Sequence, residues 1–131
     1  MVAAAALSCG VGESSERNLA RRAEILEGLP LPDGTARIAI ESRRHDVRGR
    51  FCVDYTAWTL RTKQRDEPSI VAFFEQELAG RGWTAQRADV GGGEPVDYHL
   101  VNFEGKDASV DLNTEGFNRD KEYELGTVRP C

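Results

Sequence analysis

Histidine, cysteine, methionine and aromatic residues are all scarce in this chain: two His, three Cys, one Met and 8% Phe, Trp and Tyr among 131 residues. Two histidines leave little material for a zinc site or for His-based general-base catalysis. The phrases Gly-x-Ser-x-Gly, Walker A, His-Glu-x-x-His and Cys-x-x-Cys are all missing, so no catalytic residue, metal ligand or cofactor site is assigned and a non-enzymatic role is expected. The longest unbroken apolar run, Val2 to Leu7, is far short of the roughly 18 residues a spanning helix needs. A basic excess is lacking too. With 17 basic against 22 acidic residues the net charge is −5, which opposes general binding to a phosphate backbone and makes nucleic acid an unexpected partner. Leu, Ile, Val and Phe supply only 29 of 131 residues, enough for one modest core and not for two packed domains.

What is present is patterned. Residues 14–27 have a helical, charged composition with only Leu19, Ile25 and Leu26 as large apolar groups, too thin a stripe for an independently stable helix. Residues 1–28 are therefore expected to be a signal remnant, a tether and a short surface helix. Leu29-Pro30-Leu31-Pro32-Asp33-Gly34 stops the helix, and a single domain is expected from 29 to 131. Ala36, Ile38 and Ile40 alternate with polar neighbours, the period of a half-buried strand, and Phe51 to Thr62 is rich in aromatic and β-branched residues. The two read as a hairpin, with a bulge expected near Thr56 or Ala57.

The clearest helix runs from Glu67 to about Arg81. Asp66 is placed to cap it, Ile70, Val71, Phe74 and Leu78 share a face, and Gly82-Trp83 suits a left-handed ending with a hydrophobic follow-on. Further strands are expected at 83–90, 96–104, 108–113 and 122–128, with Glu104-Gly105-Lys106-Asp107 as a tight turn. The last strand is expected to bring Cys131 to the sheet edge. The fold class that follows is α+β: a mostly antiparallel sheet of five or six strands in β-β-α-β-β-β order, with one main helix on one face. Its expected core is Ile38, Ile40, Tyr55, Ile70, Phe74, Leu78, Trp83, Leu100, Val110 and Leu112.

Three features touch function. Residues 41–65 carry seven bases, among them Arg43, Arg44, Arg48 and Arg50, against three acids, whereas residues 89–131 carry ten acids against four bases. Either the two segments pair across strands or the Arg43–Arg50 loop contacts anionic headgroups or an acidic partner. Arg44-His45-Asp46 and Asp97-Tyr98-His99 read as surface or satisfied histidines, and Gly91-Gly92-Gly93, followed by Glu94-Pro95 where a helix N-terminus is needed, reads as a linker and not a phosphate cradle. Cys52 and Cys131 are either a bridge that ties down the C-terminus or two reduced thiols; an odd cysteine, Cys9, remains.

Leu7-Ser8-Cys9, after small apolar residues and before the polar stretch Gly10 to Arg17, resembles a lipobox, although Ala6 stands where that pattern has Leu, Val or Ile and no basic segment precedes it. The resemblance implies that Cys9 receives the lipid. A start upstream of Met1 would place the Ala-rich beginning inside a longer export signal. The phrase Val71 to Trp83, with Phe103-Glu104-Gly105-Lys106 and Val110-Asp111-Leu112, is similar to small uncharacterised bacterial lipoproteins, many of them actinobacterial. The resemblance implies a cell-envelope protein, lipid-anchored on the extracytoplasmic face, that binds a protein partner or small ligand. A soluble intracellular regulatory or assembly protein is the alternative.

Overall fold

The computed structural model describes residues 10–63, 65–88 and 97–131, with side chains from residue 15 onward except those of 87, 88, 97–99, 118 and 119. Cys9, the Gly91-Gly92-Gly93 run and the Asp97 and His99 side chains lie outside that description. The chain order is α1 (Gly10–Glu27), β1 (Thr35–Val47), β2 (Phe51–Thr62), α2 (Glu67–Ala79), β3 (Thr84–Ala88), β4 (Asp97–Glu104), β5 (Ser109–Asn113), α3 (Phe117–Asp120) and β6 (Glu122–Pro130). The strands form one antiparallel sheet in the order β1-β2-β6-β5-β4-β3. The architecture is α+β, but two expectations change. The last strand is not at an edge; it sits between β2 and β5 and joins the β1–β2 hairpin to the β3–β4–β5 meander. And two long helices pack on the sheet, not one.

The local signals are realised where they were strongest. Asp66 accepts a 2.9 Å hydrogen bond from the Ser69 N–H, and Pro68 lies in the first turn of α2. At the other end Gly82 takes φ 85°, while the Trp83 N–H donates to Leu78 O and the Gly82 N–H to Ala79 O. This double closure satisfies the carbonyls a helix end leaves unpaired. The β4–β5 turn is tied by the Gly105 N–H donating to Ala108 O at 2.8 Å, and the Trp83 ring packs so closely that a Cβ on Gly105 would lie 2.7 Å from it.

Alternation along β2 decides the sheet's sidedness. Asp54, Thr56, Trp58, Leu60 and Thr62 are buried, and their intervening neighbours are not. The register carries that face through Tyr123 and Leu125 of β6, Val110 and Leu112 of β5, and Val101 and Phe103 of β4. Ile70, Val71, Phe74 and Leu78 of α2 close over it, joined by Phe117 of α3. The expected core holds at Ile70, Phe74, Leu78, Val110 and Leu112; Tyr55, Trp83 and Leu100 are only half-buried.

Helix α1 is part of this core. Leu26 is fully buried and Ile25 nearly so, as is Leu29 just beyond the helix, so the expectation of a surface helix before residue 29 is corrected. Three apolar residues suffice because they meet a prebuilt sheet instead of having to stabilise an isolated helix. Ile38 and Ile40, at 42% and 56% exposure, are the opposite error. Ile40 pairs with buried Trp58 and faces the helix side, but β1 is the edge strand and α1 lies mainly over β2 and β6. The bulge is also displaced: the pairing slips between Arg37 and Ala39 in β1, and β2 runs without interruption.

Candidate functional site

The four arginines of the expected basic loop are separated by the hairpin's geometry. Arg43 and Arg44 lie in β1, whereas Arg48 and Arg50 flank Gly49 at the tip, where Gly49 adopts φ 75° and the Arg50 N–H donates to Val47 O. A left-handed residue in a three-residue turn is the geometry that favours glycine. Arg43 donates to the Tyr55 hydroxyl and sits 3.1 Å from the Glu41 carboxylate, to which Tyr55 also donates. Arg44 projects to the opposite face and grips both Asp54 oxygens, at 2.8 and 2.9 Å. Arg48 and Arg50 are exposed and form no ion pair among the described residues. Two of the four arginines are thus spent on structure, and two are available to a ligand.

Asp54 is the polar centre that the sequence did not reveal. Its side chain is wholly buried, and Asn18 and Ser15 of α1 donate to it at 3.0 and 3.4 Å in addition to Arg44. The Arg44 hydrogen bonds hold its carboxyl below the usual range, outweighing the opposite pull of burial, with help from Asn18 and Ser15. The expected core takes Tyr55 from β2, which puts position 54 on the opposite face; the unbroken alternation of β2 turns Asp54 inward instead. That two polar residues of α1 lie over it follows only from tertiary packing.

Beside this centre the chain's two ends of sheet converge on covalent chemistry. Val53 pairs with Pro130 in register, the Cys131 N–H donates to Cys52 O at 3.0 Å, and Cys52 and Cys131 form a disulfide with Cα atoms 5.3 Å apart. The pairing expected from cysteine arithmetic is present, though it anchors a central strand. His45 stacks on Phe51 at 5.4 Å on the exposed face of the hairpin.

Charge is distributed along the strands. The end that carries the disulfide and the hairpin tip also holds Arg129 and, on the β4–β5 turn, Lys106. The opposite end carries a cleft of about 250 Å³ lined by Glu115, Asp120, Glu122 and Glu124, with Asn113 and Thr59. Of these carboxylates Glu122 is paired with Arg61 at 2.6 Å, the one ion pair among the described residues that joins the basic segment to the acidic one. No group of three or more His, Cys, Asp or Glu among the described residues is arranged to hold a metal ion, and no described helix is long and apolar enough to cross a membrane.

Comparison of the chain with models of protein families, with curated proteins and with solved structures returned no match.

Proposed function

We propose that this is a non-enzymatic binding domain of the cell envelope, lipid-anchored through Cys9 on the extracytoplasmic face. The observation that carries the reading is the Cys52–Cys131 disulfide, because such bonds persist in oxidising compartments and are rare in the cytosol. Pairing those two cysteines leaves Cys9 as the odd thiol, within Leu7-Ser8-Cys9, and lipidation accounts for it. The geometry agrees on direction. Helix α1 starts at Gly10, one residue past Cys9, and its first described contacts, Ser15 and Asn18 with Asp54, lie toward the disulfide end of β2. A lipid there would bring the exposed Arg48 and Arg50 toward anionic headgroups, whose attraction amounts to about 1 kcal/mol per basic residue near the surface.

Two measurements test the reading. Mass spectrometry of the membrane-fraction protein should find an acylated N-terminal peptide at Cys9, and Cys9→Ser should move the protein to the soluble fraction. An unmodified Cys9 together with reduced Cys52 and Cys131 in cells would replace this reading with a soluble intracellular protein.

A further inference from the structure

Strands β5 and β6 pair only from Asp111↔Gly126 to Asn113↔Glu124. Beyond that point β6 stays with β2, and the Ser109 carbonyl accepts from Thr127 Oγ1 of β6 at 2.7 Å. The separation opens a cleft of about 530 Å³ between the β4–β5 turn and the end of β6, with Arg21, Arg22, Lys106 and Arg129 on its walls. Two carboxylates, Glu104 and Asp107, also line it.

Arg22 is the unusual member. It is 4% exposed, and its Nη1 donates to Val128 O at 3.3 Å, yet its Nε is buried with no hydrogen-bond partner. A buried guanidinium normally comes with a carboxylate. Here the carboxylate whose charge acts on it, Asp54, is already taken by both nitrogens of the Arg44 fork and by Asn18. Burial, together with the positive charges of Arg129 and Arg21, pulls the Arg22 pKa below its ordinary value. Arg21 is paired with Glu24, whereas Lys106 and Arg129 are exposed and form no ion pair among the described residues. Like charges are therefore gathered around one desolvated cation, an arrangement that an anion in the cleft would relieve.

We propose that this cleft is a binding site for a phosphoryl anion, held by Arg22 from the floor and by Arg129 and Lys106 from the rim. The guanidinium fork of Arg129 suits two phosphoryl oxygens, and Lys106 supplies a mobile point charge. The ligand class is phosphate, whether free, as a soluble ester or as a lipid headgroup. The site stands on the cleft and not on the anchor, so it holds whether or not Cys9 is acylated.

The test uses the full chain with its disulfide intact. Inorganic phosphate is titrated at constant ionic strength against a potassium chloride control and followed by calorimetry and by the NMR signal of the Arg22 Nε–H. Saturable binding with a shift of that signal is expected. Arg129→Gln with Lys106→Gln, both at exposed positions, should weaken binding about tenfold or more, and Lys63→Gln, exposed at the far end of β2, should leave it unchanged. Vesicles of phosphatidylglycerol and phosphatidylcholine, compared with phosphatidylcholine alone, separate the sources: a headgroup ligand binds the mixed vesicles in an Arg129- and Lys106-dependent way, and a soluble phosphate does not need them. Absence of saturation by phosphate and by the mixed vesicles alike, or binding indifferent to Arg129 and Lys106, overturns the proposal.

Discussion

Replacing Cys52 and Cys131 together by Ala is the sharpest test of how this small domain is held together. The two positions are 79 residues apart, so the oxidised bond keeps a closed loop of most of the chain in the unfolded state. In the chain-entropy treatment a loop of that size is worth about 4.5 kcal/mol. The native side of the balance should change little: Val53 still pairs with Pro130, and the Cys131 N–H position can still donate to residue 52. The effect should therefore come through the unfolded chain. Against a typical total of about 5 to 15 kcal/mol the loss is a large fraction, and for a domain of this size it corresponds to a fall of about 15 °C in Tm. Urea titration followed by tryptophan fluorescence reads both consequences, a lower midpoint and a steeper slope, because the freed chain exposes more surface on unfolding. A loss under about 1 kcal/mol with an unchanged slope would refute the loop-closure reasoning.

Phe74→Ala should cost about 3 to 5 kcal/mol, because the ring is fully buried and packs edge-on to Phe73 and Tyr123; a thermal melt within a degree or two of the parent would show that α2 packs by another face. Gly105→Ala should cost about 1 to 3 kcal/mol and alter the near-UV signal of Trp83, since the new Cβ would meet the indole at 2.7 Å; unchanged stability and spectrum would mean the turn yields freely. For Asp54 the folded carboxyl sits below its ordinary value, so the stability it contributes is complete above the unfolded pKa of about 3.9 and disappears as pH falls through the lower folded value. Urea midpoints measured from pH 7 down to pH 2 should show that loss in the parent and not in Asp54→Asn; parallel curves would remove the Arg44–Asp54 pair from the account of acid sensitivity. At pH 7, Asp54→Ala should cost about 3 kcal/mol, since it strips Arg44 and Asn18 of their shared acceptor.

The basic loop illustrates how far charge counting reaches. Seven bases in 25 residues said that cations would cluster, and the hairpin does concentrate them, but the count could not tell Arg44 from Arg48. One lies in the strand opposite Asp54 and is consumed by it; the other lies at the tip and forms no ion pair among the described residues. Arg22 escaped notice for the same reason. In the sequence it is one of several charges on a charged helix, and its burial arises only because α1 crosses the end of β6 and delivers it to Val128 O.

The sequence by itself determined what depends on neighbours along the chain: the Asp66 cap and the Gly82-Trp83 ending of α2, the turn at Gly105, the hairpin of β1 with β2, and the alternation that sorts each strand into two faces. These follow from backbone sterics and from side chains within a few residues of one another. Tertiary structure alone decided which of those faces would be covered and which strand would sit at the centre. Alternation shows that Ile38 and Ile40 face one way, but an edge strand beyond the reach of the helices leaves them in water. The thin apolar stripe of α1 was judged as an isolated helix, and it became core because a sheet that extends to Pro130 gave Leu26 and its neighbours a surface on which to bury. Burial is a property of the whole assembled surface, and no local window contains it.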